Sequence, residues 1–101
     1  MVKTILIVED DPAQRRLLQA AVERNGFETR LAEDGARAVS ILEKHDDVAL
    51  MLLDLVMPGM SGQEVLQELR RRRPDVPAIV LTATGGIDTV VRAMQALSLI
   101  H

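Results

Sequence analysis

Four times along the chain, a short unbroken apolar run is followed by a longer stretch whose apolar residues recur every three or four positions. "TILIV", residues 4–8, is rich in β-branched residues and reads as a strand buried on both faces. Asp11 and Pro12 then open a helix, with Asp11 as N-cap, Pro12 at the first helical position and Gln14 closing a capping-box-like pattern. Leu17, Leu18, Ala21 and Val22 are expected to form its apolar face, and Asn25-Gly26 to end it, since glycine suits a left-handed C-cap. "FETRLA" alternates as a shorter strand nearer the sheet edge would, and Ala38, Val39, Ile41 and Leu42 mark a second helix after Asp34-Gly35. "VALMLLD" is the most hydrophobic run and so the expected centre of the sheet. A loop, "LVMPGMSG", leads to a third helix over 62–72, started by a capping box of Ser61 and Glu64. "AIVLTA" is the fourth strand, "TGG" a turn, and 87–97 a fourth helix.

Strand and helix alternating at this spacing predict βαβ crossovers and an α/β fold, a doubly wound parallel sheet with helices on both faces. Such a sheet resembles the flavodoxin-like type, for which the expected order here is 2-1-3-4. In such sheets ligands sit beyond the carboxyl ends of the strands, where the strand order reverses between strands one and three. Glu9 and Asp10 stand at the end of the first, Asp54 at the end of the third. Like charges gathered this way repel unless a cation lies among them, and Mg2+ with a few carboxylates and waters is the expected chemistry. Asp11 needs no such explanation, because capping the helix accounts for it.

Composition narrows the field. At 101 residues, 48% hydrophobic and 27% charged, the chain fits one small globular domain. A net charge of −3 offers no basic field for a nucleic-acid backbone, and the absence of cysteine removes disulfides, thiolate metal sites and a cysteine nucleophile. No signal-peptide pattern is present, and the longest apolar run, 48–53, is far short of the ~20 residues of a membrane span. A cytoplasmic protein is expected, with no membrane or direct nucleic-acid partner. His45 reads as a solvated histidine near a helix end. Arg70 to Arg73 read as cations facing solvent at the negative end of the third helix. The five methionines read as core filler, except Met57 in the acidic-site loop.

Three segments, "ILIVEDD", "LLDLVMPGMSG" and "IVLTA", resemble in order and spacing the signatures of the response-regulator receiver domain of bacterial two-component signalling. The resemblance runs from about Val2 to Ala96. It implies that Asp54 is the phosphoacceptor, charged by a sensor histidine kinase or phosphotransfer protein. Asp10 would be a direct Mg2+ ligand, Glu9 would reach the metal through water, and Val56 would lend its backbone carbonyl. Thr82 resembles the switch hydroxyl that turns to the phosphoryl group, and Ala83 the small residue that leaves it accessible. An output domain or effector would read the phosphorylated state. "GGIDTVVRAMQA" is similar to receivers of the nitrogen-regulation class, which precede an ATPase and a DNA-binding domain and serve transcription regulation.

After "VVRAMQA" the pattern departs from the family, which would continue with a fifth strand carrying an aromatic, a Lys-Pro pair and a fifth helix. The chain reads "LSLIH" instead. Residues 1–96 are therefore expected to be a receiver incomplete at its C-terminus, (βα)4 of (βα)5, and 97–101 a non-native tail. The missing aromatic would also explain why Phe27 is the only one. Two further readings remain open. One is a divergent or truncated receiver that binds a partner without phosphorylation. The other is a metal-dependent aspartyl phosphatase of haloacid-dehalogenase type, which would want an Asp-x-Asp pair after the first strand, where this chain has Glu9-Asp10-Asp11. A receiver is not expected to turn over an external substrate.

Overall fold

The computed structural model describes residues 3–54, 62–81, 90–92 and 94–96. The elements are β1 (Thr4–Val8), α1 (Pro12–Arg24), β2 (Glu28–Ala32), α2 (Gly35–Lys44), β3 (Val48–Asp54), α3 (Gly62–Arg72) and β4 (Ala78–Leu81). Residues 90–92 and 94–96 are helical, where the fourth helix is expected. All four strands pair in parallel, as the alternation predicts, in the order β2-β1-β3-β4 expected of a flavodoxin-like sheet. The Ser61 half of the third helix's capping box, and residues 97–101, lie outside the described residues.

Pleating sends alternate side chains of β1 and β3 to opposite faces, so each strand feeds two cores. Leu6, Val8, Met51 and Leu53 pack with Ala38, Ile41 and Leu42 of α2 and Val65 and Leu69 of α3. Ile5, Ile7, Leu50 and Leu52 pack with Leu18 and Val22 of α1, Phe27, Leu81, Val90 and Met94. β1 and β3 thus occupy the buried middle of the sheet, and that is why their sequences are nearly continuous in apolar residues. One irregularity interrupts the register. Thr4 pairs with Val48 but Ile5 with Leu50, leaving Ala49 as the extra residue of a β-bulge. Hence Val48 and Leu50, two residues apart, serve opposite cores.

Local chemistry sets the ends of the helices. Asp11 caps α1 by accepting from the Ala13 N–H at 3.2 Å, so the donor is the second helical residue and not the third, as a capping box would use. Asp34, which carried no such expectation, caps α2 by accepting from Arg37 N–H at 2.8 Å. Gly26, at φ +90°, occupies the left-handed region beyond the Asn25 cap.

Two sequence expectations are corrected. Leu17 does not belong to the apolar face of α1: it is 55% exposed, while Leu18, Ala21 and Val22 are buried. At 100° per residue, a helix that centres the last three on the core turns Leu17 toward solvent. Arg73 does not face solvent either. Its guanidinium donates to the carbonyls of Leu42 and His45 at the end of α2, each at 3.4 Å, and pairs with Asp75 at 3.0 Å. Arg72 pairs with Glu43 and Glu68, so the arginine run ties α3 to α2.

Leu52→Ala is expected to cost about 2–5 kcal/mol, because the side chain is fully buried and a cavity would remain. Leu17→Ala should cost under about 0.5 kcal/mol. Urea midpoints of the two variants measure both, and equal losses would contradict the assignment of the α1 face.

Candidate functional site

The pairing of β1 with β3 ends at Val8 and Leu53, and the next residue on each strand is an acid: Glu9 on one, Asp54 on the other. Glu9 N–H donates to the Ala32 carbonyl of β2 at 3.0 Å, which holds the residue in line with the sheet. Asp10 follows in the bend that enters α1, whose N-terminal end carries the positive pole of the helix dipole. One carboxylate oxygen from each of Glu9, Asp10 and Asp54 comes within 4.8 Å of the others. Two segments some 45 residues apart therefore supply a single acidic site, at the place where the strand order reverses.

The three acids are not alike. Asp10 and Asp54 are half-buried, whereas Glu9 is only 1% exposed, which excludes plain surface charge as its role. Its Oε2 is buried without a hydrogen-bond partner. Burial is the main force pushing the Glu9 carboxyl up to about 8; the adjoining Asp54 and Asp10 carboxyls add to it, and a backbone contact at Asp11 opposes it. A buried carboxyl oxygen without a partner, set among other acids, fits a cation site. The donor set is all hard oxygen, suited to Mg2+ or Ca2+ and not to softer metals. Its 4.8 Å spread is close to the about 4.2 Å across an octahedral Mg2+ shell, so the residues fit that ion with waters completing it.

Val56 and Thr82, the other two site residues that the resemblance implies, lie outside the described residues. Sequence reading missed Arg15. Its Nη1 donates to the carbonyl of Glu9 at 2.9 Å and lies 3.4 Å from that of Asp10. An arginine in the early turns of a helix is commonplace, and nothing in the pattern marked this one. Among the described residues no helix is long and apolar enough to cross a membrane.

Known proteins resemble this arrangement. The response regulator receiver domain family matches residues 5–98. Regulatory protein AtoC of Escherichia coli (strain K12) is 38% identical over 95 residues, covering 93% of this chain and 20% of AtoC. Response regulator MprA of Mycobacterium sp. (strain KMS) is 36% identical over 92 residues, covering 91% of this chain and 40% of MprA. The chain thus spans a fifth to two fifths of the length of these curated relatives. Response regulator TrrA of Thermotoga maritima, crystallised with Mg2+-BeF, superposes with a TM-score of 0.75 at 39% identity, over 81% of this chain and 70% of TrrA. TrrA in a crystal with histidine kinase ThkA gives a TM-score of 0.74 over the same shares of both chains. Matched over residues 5–98 and folded as the sequence resemblance required, this chain belongs to the response regulator receiver domains of two-component signalling.

Proposed function

We propose that this domain is a phosphoacceptor switch, taking a phosphoryl group onto Asp54 from a histidine kinase or phosphotransfer protein in the cytoplasm. The observation that carries the reading is the convergence of Glu9, Asp10 and Asp54 within 4.8 Å at the ends of the two central strands. Asp10, Asp54 and the Val56 carbonyl would hold Mg2+, with Glu9 reaching it through water. When bound, Mg2+ supplies charge neutralisation for the oxygens of the transferring phosphoryl group. A carboxylate oxygen of Asp54 attacks the phosphorus of a phosphohistidine. The O–P bond of an acyl phosphate forms as the P–N bond breaks, and the histidine nitrogen leaves with the electron pair and takes up a proton. Placement of the attacking oxygen at a fixed strand end is the protein's main contribution to that step. The Thr82 hydroxyl would then turn to the phosphoryl oxygen, and an output domain or effector would read the change.

A histidine kinase as partner is supported by the ThkA–TrrA crystal, and an output domain by the greater length of the curated relatives. The net charge of −3 favours no direct contact of this domain with nucleic acid.

Acetyl phosphate with Mg2+ should add one phosphoryl group per chain by intact mass, and a chelator should prevent it. Repeated turnover of a phosphomonoester would favour a phosphatase, and no labelling at all would favour an interaction module that works without phosphorylation. Asp10→Asn should weaken Mg2+ at least about tenfold by calorimetry, because the cation has few other protein ligands. Equal affinity in the two proteins would contradict the ligand assignment.

A further inference from the structure

We propose that Arg15 is a positioning residue for the acidic site, fixing the backbone of Glu9 and Asp10 so that their carboxylates stay convergent before a cation arrives. The link to Mg2+ rests on the function proposed above; the anchoring of the backbone does not. Glu9 is held at both of its main-chain groups. Its N–H donates to Ala32 of β2 at 3.0 Å, and its carbonyl accepts from Arg15 Nη1 at 2.9 Å. The same nitrogen reaches the Asp10 carbonyl at 3.4 Å, so one guanidinium spans both residues of the turn. The bond to Ala32 fixes only the strand side of Glu9; beyond it the chain leaves the sheet, and there the carbonyls take their donor from Arg15.

The location explains the choice of residue. Arg15 is in the second turn of α1, and helix side chains lean toward the N-terminus, which brings its head back over the bend. Its backbone N–H closes the first turn onto the Asp11 carbonyl at 2.9 Å, so the base of the side chain is fixed as well. The three acids share one crevice, and a guanidinium anchored in the helix holds the bend that carries two of them. The positive charge also has a contrary effect, since it repels an incoming cation. The two effects predict opposite outcomes on removal. Anchoring predicts weaker Mg2+ binding, and charge repulsion predicts tighter binding.

The experiment uses the full chain with Arg15→Met, which keeps an apolar stem but has neither donor nor charge, and Arg15→Lys, which keeps the charge on a single nitrogen. Backbone carbonyl 13C resonances of Glu9 and Asp10 are recorded without metal, and Mg2+ dissociation constants are measured by calorimetry. Loss of the bonds should move both carbonyl resonances upfield in Arg15→Met and weaken Mg2+ about tenfold. Arg15→Lys should fall between that variant and the wild type. Carbonyl resonances that stay in place, or Mg2+ binding that is unchanged or tighter in Arg15→Met, would overturn the proposal. If Arg15→Met does not fold, Arg15→Gln, too short to reach the bend, takes its place with the same expected outcomes. A wild-type chain that takes up no Mg2+ would defeat the proposed function, while the carbonyl resonances would still decide whether Arg15 holds the bend.

Discussion

Asp54→Asn is expected to abolish phosphoryl uptake from acetyl phosphate and Mg2+, leaving the intact mass of the treated chain unchanged. Four acids lie at or beside the site, and the structure separates their chemistry. Glu9 is buried and pushed up to about 8, so at neutral pH it is mostly protonated and a poor nucleophile until a cation recruits its charge. The Asp11 side chain caps α1 through the Ala13 N–H. Asp10 lies in the bend before the helix, where its oxygen can meet a cation. Asp54 closes β3, the best-buried strand after β1, and its carboxyl is half-buried at the mouth of the crevice. Asparagine keeps the shape but offers no carboxylate oxygen to attack. If the proposed roles hold, the loss should be complete within detection, and larger than the loss from Asp10→Asn, which would weaken the proposed cation site but spare the proposed nucleophile. Label recovered on Asp10 or Asp11 would show that the roles have been wrongly divided.

Metal-free protein should become less stable as pH rises from 5 to 9, and Glu9→Gln should remove much of that slope. The direction follows from where the proton resides. Glu9 in the folded chain holds its proton up to about 8, while the ordinary value, 4.5, applies once the chain unfolds. Between those two values the folded state binds more protons, so the contribution is fully present below about 4.5 and is lost as pH climbs through about 8. At about 1.4 kcal/mol per pH unit, the upper bound is on the order of 4–5 kcal/mol, a large part of a small domain's stability. Glutamine is neutral at every pH and escapes the penalty. Urea unfolding in a chelator at pH 5, 7 and 9 measures the effect for both proteins. Mg2+ should reverse it, stabilising the wild type more at pH 9 than at pH 5, because a metal ligand must first lose its proton. A wild-type slope no steeper than that of Glu9→Gln would reject the account.

How legible all this was in the sequence differs by feature. β1, β3 and α3 were readable to the residue, since long apolar runs and an uninterrupted 3.6-residue pattern leave few alternatives. The alternation of strands and helices marked a parallel α/β sheet; the order 2-1-3-4, and with it the meeting of Glu9, Asp10 and Asp54, came from the likeness to a flavodoxin-like sheet. What the pattern could not show was the depth of each acid. Three neighbouring carboxylates look equivalent in one dimension, yet the Glu9 side chain is sealed while Asp10 is half open, because only Glu9 still continues the strand. Leu17 failed for the opposite reason: a polar–apolar alphabet cannot decide which of two adjacent leucines faces the core. Arg15 was missed, and Arg73 misread as facing solvent, because each donates to main-chain carbonyls distant in sequence or off the side-chain pattern, and a carbonyl has no letter in a sequence. Val56 and Thr82 were named through resemblance and lie outside the described residues.

The bulge at Ala49 turns the site into a matter of odd and even. A strand is a ruler whose marks alternate between two sides, about 3.3 Å apart. On β1, Ile5 and Ile7 face the α1 core, and Glu9 is the next mark on that side. On β3, Leu50 and Leu52 face the same core, and Asp54 is the next mark there. The two acids meet because both counts end on the same parity. One residue added between Leu50 and Leu53 would send Asp54 to the opposite side, however well the strand itself tolerated it. Two added residues would restore the side and overshoot Glu9 by about 6.6 Å. Ala49 is the one surplus residue the sheet accommodates, and it lies upstream of Leu50, so the count that ends at Asp54 starts afresh after it. Changes of length in the turn between α2 and β3 can be absorbed there; within the last five residues of β3 they cannot.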